Sequence, residues 1–140
     1  RTPHVIQSIG SKGKPAGMDS LVQTGIDPAL FKPVIKAMNA VTESDEGTAP
    51  LARIPGIKVC GKTGTVQDSQ GNHSVFIAFA PANDPKIALS VYVENAGSGG
   101  DWAAPIASLM MEHYLKGSVQ QTEKESRVKG ATYPFADAKQ

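Results

Sequence analysis

The sequence predicts an α+β fold, an antiparallel sheet flanked by helices. Two observations carry this. Strand-like segments at 57–65, 74–80 and 87–94 follow one another with short links, and short links join antiparallel neighbours because parallel ones need long crossovers. Helix-period segments stand on either side of that run, at 27–41 and 101–116.

Each element has a local reason. Residues 1–9 alternate at Val5-Ile6-Gln7-Ser8-Ile9, as a short strand does, and 11–17 read as a loop. Residues 18–23 are expected to pair with that strand as a hairpin. Asp27 is a good N-cap and Pro28 a good first helical residue. Leu30, Phe31, Val34, Ile35, Met38 and Val41 then share one face. Burying such a side chain is worth about 1.5–3 kcal/mol, so this face is expected to meet a sheet or helix. Asp45-Glu46-Gly47 ends the helix, and 48–56, with Pro50 and Pro55, is a connector with room for one helical turn.

Ile57-Lys58-Val59-Cys60 reads as a strand that delivers the polar cluster Gly61-Lys62-Thr63-Gly64-Thr65 at its end. Residues 66–72 read as a polar loop. The run 74–80 is nearly all apolar, as a strand buried on both faces would be. After the third strand comes a Gly-rich loop at 95–100, then a helix capped by Asp101 and stopped at Lys116-Gly117, with Met110-Met111 expected in the core. Residues 118–140 are polar and read as a mobile tail in which only Tyr133-Pro134-Phe135 is expected to dock.

With 140 residues the chain can build one core. Fourteen Lys and Arg against 13 Asp and Glu leave a net charge of +1, which gives no reason to expect nucleic acid or an acidic membrane as partner. The single cysteine, Cys60, excludes an internal disulfide and reads as a packed core thiol. His4, His73 and His113 are scattered, and no metal site or cofactor is expected. There is no apolar run long enough to span a bilayer and no signal peptide, and the start at Arg1 leads us to expect a piece of a longer protein.

Three motifs match by letter. Gly56-Ile57-Lys58-Val59-Cys60-Gly61-Lys62-Thr63 fits the nucleotide-binding loop, but that loop must curl around phosphates and open a helix at the lysine. Ile, Lys, Val and Cys favour an extended strand instead, and Thr-Gly-Thr is a poor helix start. Ser11 to Lys14 and Ser126 to Lys129 fit S-x-x-K, a serine nucleophile with its lysine one helical turn later. Glycines and Pro15 argue against a helix at the first; at the second nothing is expected to desolvate the lysine. Lys62-Thr63-Gly64 fits the K-T-G element of serine acyltransferases that act on penicillin-like substrates, and its context of antiparallel strands followed by a helix strengthens the match.

The chain resembles the C-terminal part of the transpeptidase domain of class B penicillin-binding proteins of the penicillin-binding protein 2 type. The resemblance rests on Gly61-Lys62-Thr63-Gly64-Thr65-Val66-Gln67, on the strand 74–81, and on Val93-Glu94-Asn95 through Gly99-Gly100 and Ala103-Ala104-Pro105-Ile106-Ala107. It covers 1–117; residues 118–140 carry none of it. It implies a partial penicillin-binding protein (serine β-lactamase-like) fold and a parent enzyme that cross-links peptidoglycan by serine acyl transfer from a D-Ala-D-Ala stem peptide. β-Lactams would mimic that peptide. The parent would be anchored at the periplasmic face of the bacterial inner membrane. Lys62 would place positive charge near the substrate carboxylate and assist a serine of a second motif. Thr63 and Thr65 hydroxyls would bind the carboxylate, the Thr65 N–H would form half of an oxyanion hole, and Gly64 would let the substrate backbone approach.

The departures are large. No S-x-N motif exists in the chain, and neither S-x-x-K match suits the nucleophile. The chain is therefore expected to supply one wall of an active site, to lack the nucleophile, and to be inert alone. Missing partners would leave an apolar face able to bind another copy. The alternatives are a non-catalytic wall-binding or sensor domain of the same fold and a nucleotide-binding loop protein.

Overall fold

The computed structural model describes residues 8–9, 14–15, 25–69 and 71–132, in two compact units, 1–30 and 31–140. In the first, β1 (Ser8–Ile9) pairs antiparallel with β2 (Lys14–Pro15). The hairpin is tighter than expected: β2 falls in the stretch read as loop, and the expected partner at 18–23 lies outside the described residues. Asp27 caps as predicted, its Oδ1 accepting the Ala29 N–H at 2.8 Å over a 3-10 turn at Pro28–Leu30.

The second unit is a three-stranded antiparallel meander, β3 (Cys60–Asp68), β4 (Gly71–Ala80) and β5 (Ile87–Val93), in the order β3-β4-β5. Helix α1 (Phe31–Glu43) lies against β3 on one face, and α2 (Ala103–Lys116) packs on β4 and β5 on the other. Thr63, Phe76 and Val91 stand in register, as do Lys62, Ile77 and Ser90. Successive strand residues point to opposite faces, so the first row faces α2 and the second faces α1. The core lies on the α2 side, where Phe76, Ala78 and Val91 meet Ala104, Ala107 and Met111. The fold class, with three antiparallel strands and flanking helices, is as the sequence predicts.

Two strand expectations are corrected. The strand does not end at the polar cluster: β3 begins at Cys60 and runs on to Asp68, with Lys62-Thr63-Gly64-Thr65 in its middle and the hairpin turn beyond. Cross-strand pairing of 65–68 with 71–74 overrides the polar composition of that stretch. Nor is β4 buried on both faces, since Ile77 is 47% exposed on the α1 side.

Helix α1 covers little. Its C-terminal turn is anchored, with Thr42 Oγ1 and Asn39 Nδ2 both donating to Val59 O at 2.6 and 2.9 Å. Arg53 donates to the carbonyls of Thr42, Glu43 and Ser44, satisfying acceptors that a helix end leaves free. Of the apolar face, Val41 and Met38 are half-buried, while Phe31, Val34 and Ile35 remain exposed. Helix α2 ends as predicted at Gly117, which adopts φ 78° and donates to His113 O. Its start differs, since Asp101 makes no cap bond and Trp102 is the boundary residue. Of the paired methionines Met111 is core and Met110 is exposed.

Within the stretch read as a mobile tail, residues Thr122–Lys129 form a helix, α3. It is not held by an apolar stripe, which is why composition hid it. The fully buried Glu112 of α2 accepts the N–H groups of Gln120 and Gln121 and the Gln121 side chain, and pairs with Lys116 at 3.2 Å. Lys124 donates to Arg53 O and Ser108 Oγ, both at 2.9 Å, and burial, partly offset by Glu112, lowers its pKa to about 8. Arg127 lies over the Trp102 ring at 4.8 Å. Tyr133-Pro134-Phe135 lies outside the described residues.

Candidate active site

Strand β3 pairs only with β4, so one edge of the sheet is open among the described residues. Alternation along this edge splits the polar cluster. Thr63 and Thr65 face the α2 side and Lys62 and Gly64 the α1 side. A ligand laid along the open edge can reach both sets; one on either face reaches only half.

Each residue has a definite setting. Lys62 is exposed at the rim of a groove of about 410 Å³, lined by Val34, Ala37, Met38, Val41 and Ile77, and its Nζ donates to Thr63 O at 2.7 Å. The Thr63 and Thr48 hydroxyls lie 2.9 Å apart. Thr65 is exposed beside the buried Ser74, its register partner. A Cβ on Gly64 would meet only Val75, at 3.4 Å, so the α1 side of Gly64 has room for an approaching group.

The strand is backed by the Gly-rich loop. A Cβ on Gly99 would fall 2.2 Å from Val75 O and 2.6 Å from Gly64 O, and one on Gly100 would fall 2.3 Å from Thr48 O. Gly99 lets the loop press on the peptide planes of Gly64 and Val75, and Gly100 lets it pass the Thr48 carbonyl. Gly61 has a different reason, because a Cβ there would strike the Phe76 ring at 2.2 Å. Cys60 is fully buried with its Sγ 3.7 Å from Ile35 O, and burial, then Glu43, pushes its thiol pKa up against the hydrogen bond with Asn39. It is a packing residue, as expected. No group of His, Cys, Asp or Glu side chains among the described residues is arranged to hold a metal ion.

The other motif matches separate on geometry. Gly61-Lys62-Thr63 lies in β3 and no helix opens at Lys62, so the nucleotide-loop geometry is absent. Lys14 lies in β2 and not on a helix; Ser11 is outside the described residues. Ser126 and Lys129 do share a helix, contrary to expectation, yet Lys129 is exposed and ion-paired with Glu125 at 2.6 Å.

Residues 1–112 match the family described as penicillin binding protein transpeptidase domain. The chain belongs to this family. Among its relatives, the peptidoglycan D,D-transpeptidase MrdA of Haemophilus influenzae is 30% identical over 88% of this chain and 22% of its own length. The peptidoglycan D,D-transpeptidase PbpA of Mycobacterium tuberculosis is 40% identical over 46% of this chain and 15% of its own. The transpeptidase family thus covers most of this chain, while the chain spans about a fifth of the length of the relatives it matches. Solved transpeptidase structures agree. Pseudomonas aeruginosa PBP2 in complex with WCK 5153 superposes with a TM-score of 0.60 at 34% identity, over 78% of this chain and 24% of that one. The imipenem acyl-enzyme complex of penicillin-binding protein A from M. tuberculosis gives 0.55 at 32% identity, over 64% and 20%.

Sequence reasoning singled out Lys62, Thr63, Gly64 and Thr65, and the fold sets all four on the open edge. It missed Thr48, whose hydroxyl partner is 15 residues away. It noted Gly99 and Gly100 without their role; two adjacent glycines before a helix were the available signal.

Proposed function

We propose that this chain forms the Lys-Thr-Gly wall of a serine-type peptidoglycan D,D-transpeptidase. The observation that carries the reading is the placement of Lys62-Thr63-Gly64-Thr65 in mid-strand on the open edge of the sheet. An extended stem peptide ending in D-Ala-D-Ala, or a β-lactam, lies along that edge as an added strand would. Thr63 and Thr65 hydroxyls bind its carboxylate, Lys62 supplies the counter-charge from the other face, and Gly64 leaves room for the backbone. The Thr65 N–H is one oxyanion donor, a kind of group worth about 3–4 kcal/mol at the transition state.

In this reading the acyl chemistry starts at a serine of the longer protein. Its Oγ bonds to the carbonyl carbon, the C–N bond to the terminal D-Ala breaks, and the amine leaves with a proton. An acceptor amine then takes the acyl group and frees the serine. The transpeptidase part of the chain is 1–117, with 118–140 an appendage. The longer protein is membrane-anchored with this part in the periplasm; among the described residues no helix is long and apolar enough to cross a membrane.

Labelling with a fluorescent penicillin tests the reading. The 140-residue chain is expected to take no covalent label, whereas the longer protein is labelled and loses most of that labelling on Thr65→Val. Covalent labelling of the short chain at a serine would overturn the inert-wall reading.

A further inference from the structure

Three consecutive residues of β4 hold the loop at 95–102, which backs the site strand, and the first residue of α2. Asn72 O accepts the Gly97 N–H at 2.9 Å. Ser74 Oγ donates to Ser98 O at 2.8 Å and accepts the Ala103 N–H at 3.0 Å. Between them stands His73, 3% exposed, whose Nδ1 accepts the Asn95 N–H at 3.0 Å. Asn95 has φ 54°, a left-handed conformation that asparagine tolerates better than most residues, and it starts the turn into the glycines.

The backbone and hydroxyl contacts do not change with pH. The His73 contact rests on a ring nitrogen. A backbone N–H can only donate, so Nδ1 must carry a lone pair and the ring proton sits on Nε2. Nε2 lies 2.9 Å from Asp68 Oδ2, out of line for a straight hydrogen bond. The Tyr92 ring stacks on the imidazole, centroids 5.4 Å apart. The titratable groups against the ring are Asp68 on β3 and Tyr92 on β5; Glu94, one residue past β5, acts on Tyr92. Desolvation, then Glu94 and Asp68, push the Tyr92 phenol up, so it stays neutral. A second ring proton can go only on Nδ1, where the Asn95 N–H already points.

We propose that His73 is a positioning residue for the site strand: its neutral ring seats the 95–100 loop behind Gly64 and Thr65, and protonation at Nδ1 unseats it. That this strand carries a site rests on the transpeptidase reading; the latch itself does not. It is a specific device, since Gly99 packs against Gly64 with no side chain to cushion a displaced loop.

NMR on the ¹⁵N-labelled 140-residue chain tests the latch without requiring acyl transfer. The expected results are an Nε2–H tautomer above the ring's titration, and Asn95, Gly97, Gly99 and Gly64 amide shifts that follow the ring on acidification. Asn95 amide exchange, corrected for intrinsic rate, should speed up about fivefold, the loss of roughly one hydrogen bond. In His73→Asn the amide oxygen replaces Nδ1 as acceptor and cannot be protonated in this range, so those amides should ignore pH. In His73→Gln the acceptor is displaced, and they should sit at the unseated positions throughout. An Nδ1–H tautomer in the wild-type chain, or loop amides indifferent to the ring, overturns the proposal even if both variants fail to fold. Failure of penicillin labelling in the longer protein would sink the transpeptidase reading and leave these spectra unchanged.

Discussion

Gly99 and Gly64 face one another across a contact made almost entirely of backbone, and they predict opposite behaviour. A Cβ on Gly99 would land 2.2 Å from Val75 O. Backbone cannot swing aside as a side chain can, so Gly99→Ala is expected to cost about 2–3 kcal/mol, the upper part of the range for overpacking. A shift in the urea midpoint with unchanged slope would show it. On Gly64 the same methyl meets Val75 at 3.4 Å, an ordinary contact, so Gly64→Ala should alter stability by no more than about 0.5 kcal/mol. In the longer protein, however, that methyl enters the path proposed for substrate and should slow penicillin acylation. Unfolding midpoints and acylation rates measured on the two variants separate a packing glycine from a site glycine. The four site residues were legible in the sequence because a cation, two hydroxyls and a glycine fell on one strand. The Thr48 hydroxyl was not, because a hydrogen bond across 15 residues leaves no local pattern.

At the scale of elements, periodicity revealed those that carry apolar rows and missed the one that carries none. The meander was legible from β-branched runs and short links. Its hairpin end was not, since polar residues at 66–72 pair through backbone bonds that composition does not record. Helix α3 is the clearest case. Its anchor is the buried Glu112 carboxylate, which caps the chain entering α3 from the side of α2. Burial by itself would raise the Glu112 pKa; hydrogen bonds from Gln121, Gln120 and Lys116 outweigh it and hold the carboxyl below its usual range. The sign of the pH effect follows. A depressed folded pKa stabilises fully above the unfolded value and loses that contribution as pH falls through the folded one. The Glu112 contribution to the α2–α3 contact should therefore be intact at neutral pH and be lost only as pH falls below the ordinary glutamate range. Glu112→Ala should remove this acid dependence and cost about 1–3 kcal/mol, because the Gln120 and Gln121 N–H groups lose their acceptor while Lys116 keeps Pro55 O. Amide exchange of 122–129 as a function of pH reads both effects; protection unchanged in Glu112→Ala would refute the anchor.

At the scale of the whole molecule, the sheet of the second unit is finished on one side only. Phe76, Ala78 and Met111 close the α2 side. On the α1 side Val34, Val66, Ile77 and Tyr92 are each about half exposed, at 53, 46, 47 and 52%. Single exposed apolar residues are normal, but four around one sheet face and its helix form a patch of the kind that marks an interface. A net charge of +1 gives little electrostatic repulsion between copies. The isolated chain is thus expected to associate reversibly through this face at micromolar concentration. Ile77 is the residue to change, because it stands opposite Lys62 in the β3–β4 register. A glutamate there would pair with that lysine across the strands while placing charge in the middle of the patch. Sedimentation velocity of the wild-type chain should show an average mass above the monomer that rises with concentration, and Ile77→Glu should return it to the monomer with little loss of stability. If the wild-type chain sediments as a monomer over the whole concentration range, the exposed face does not drive association.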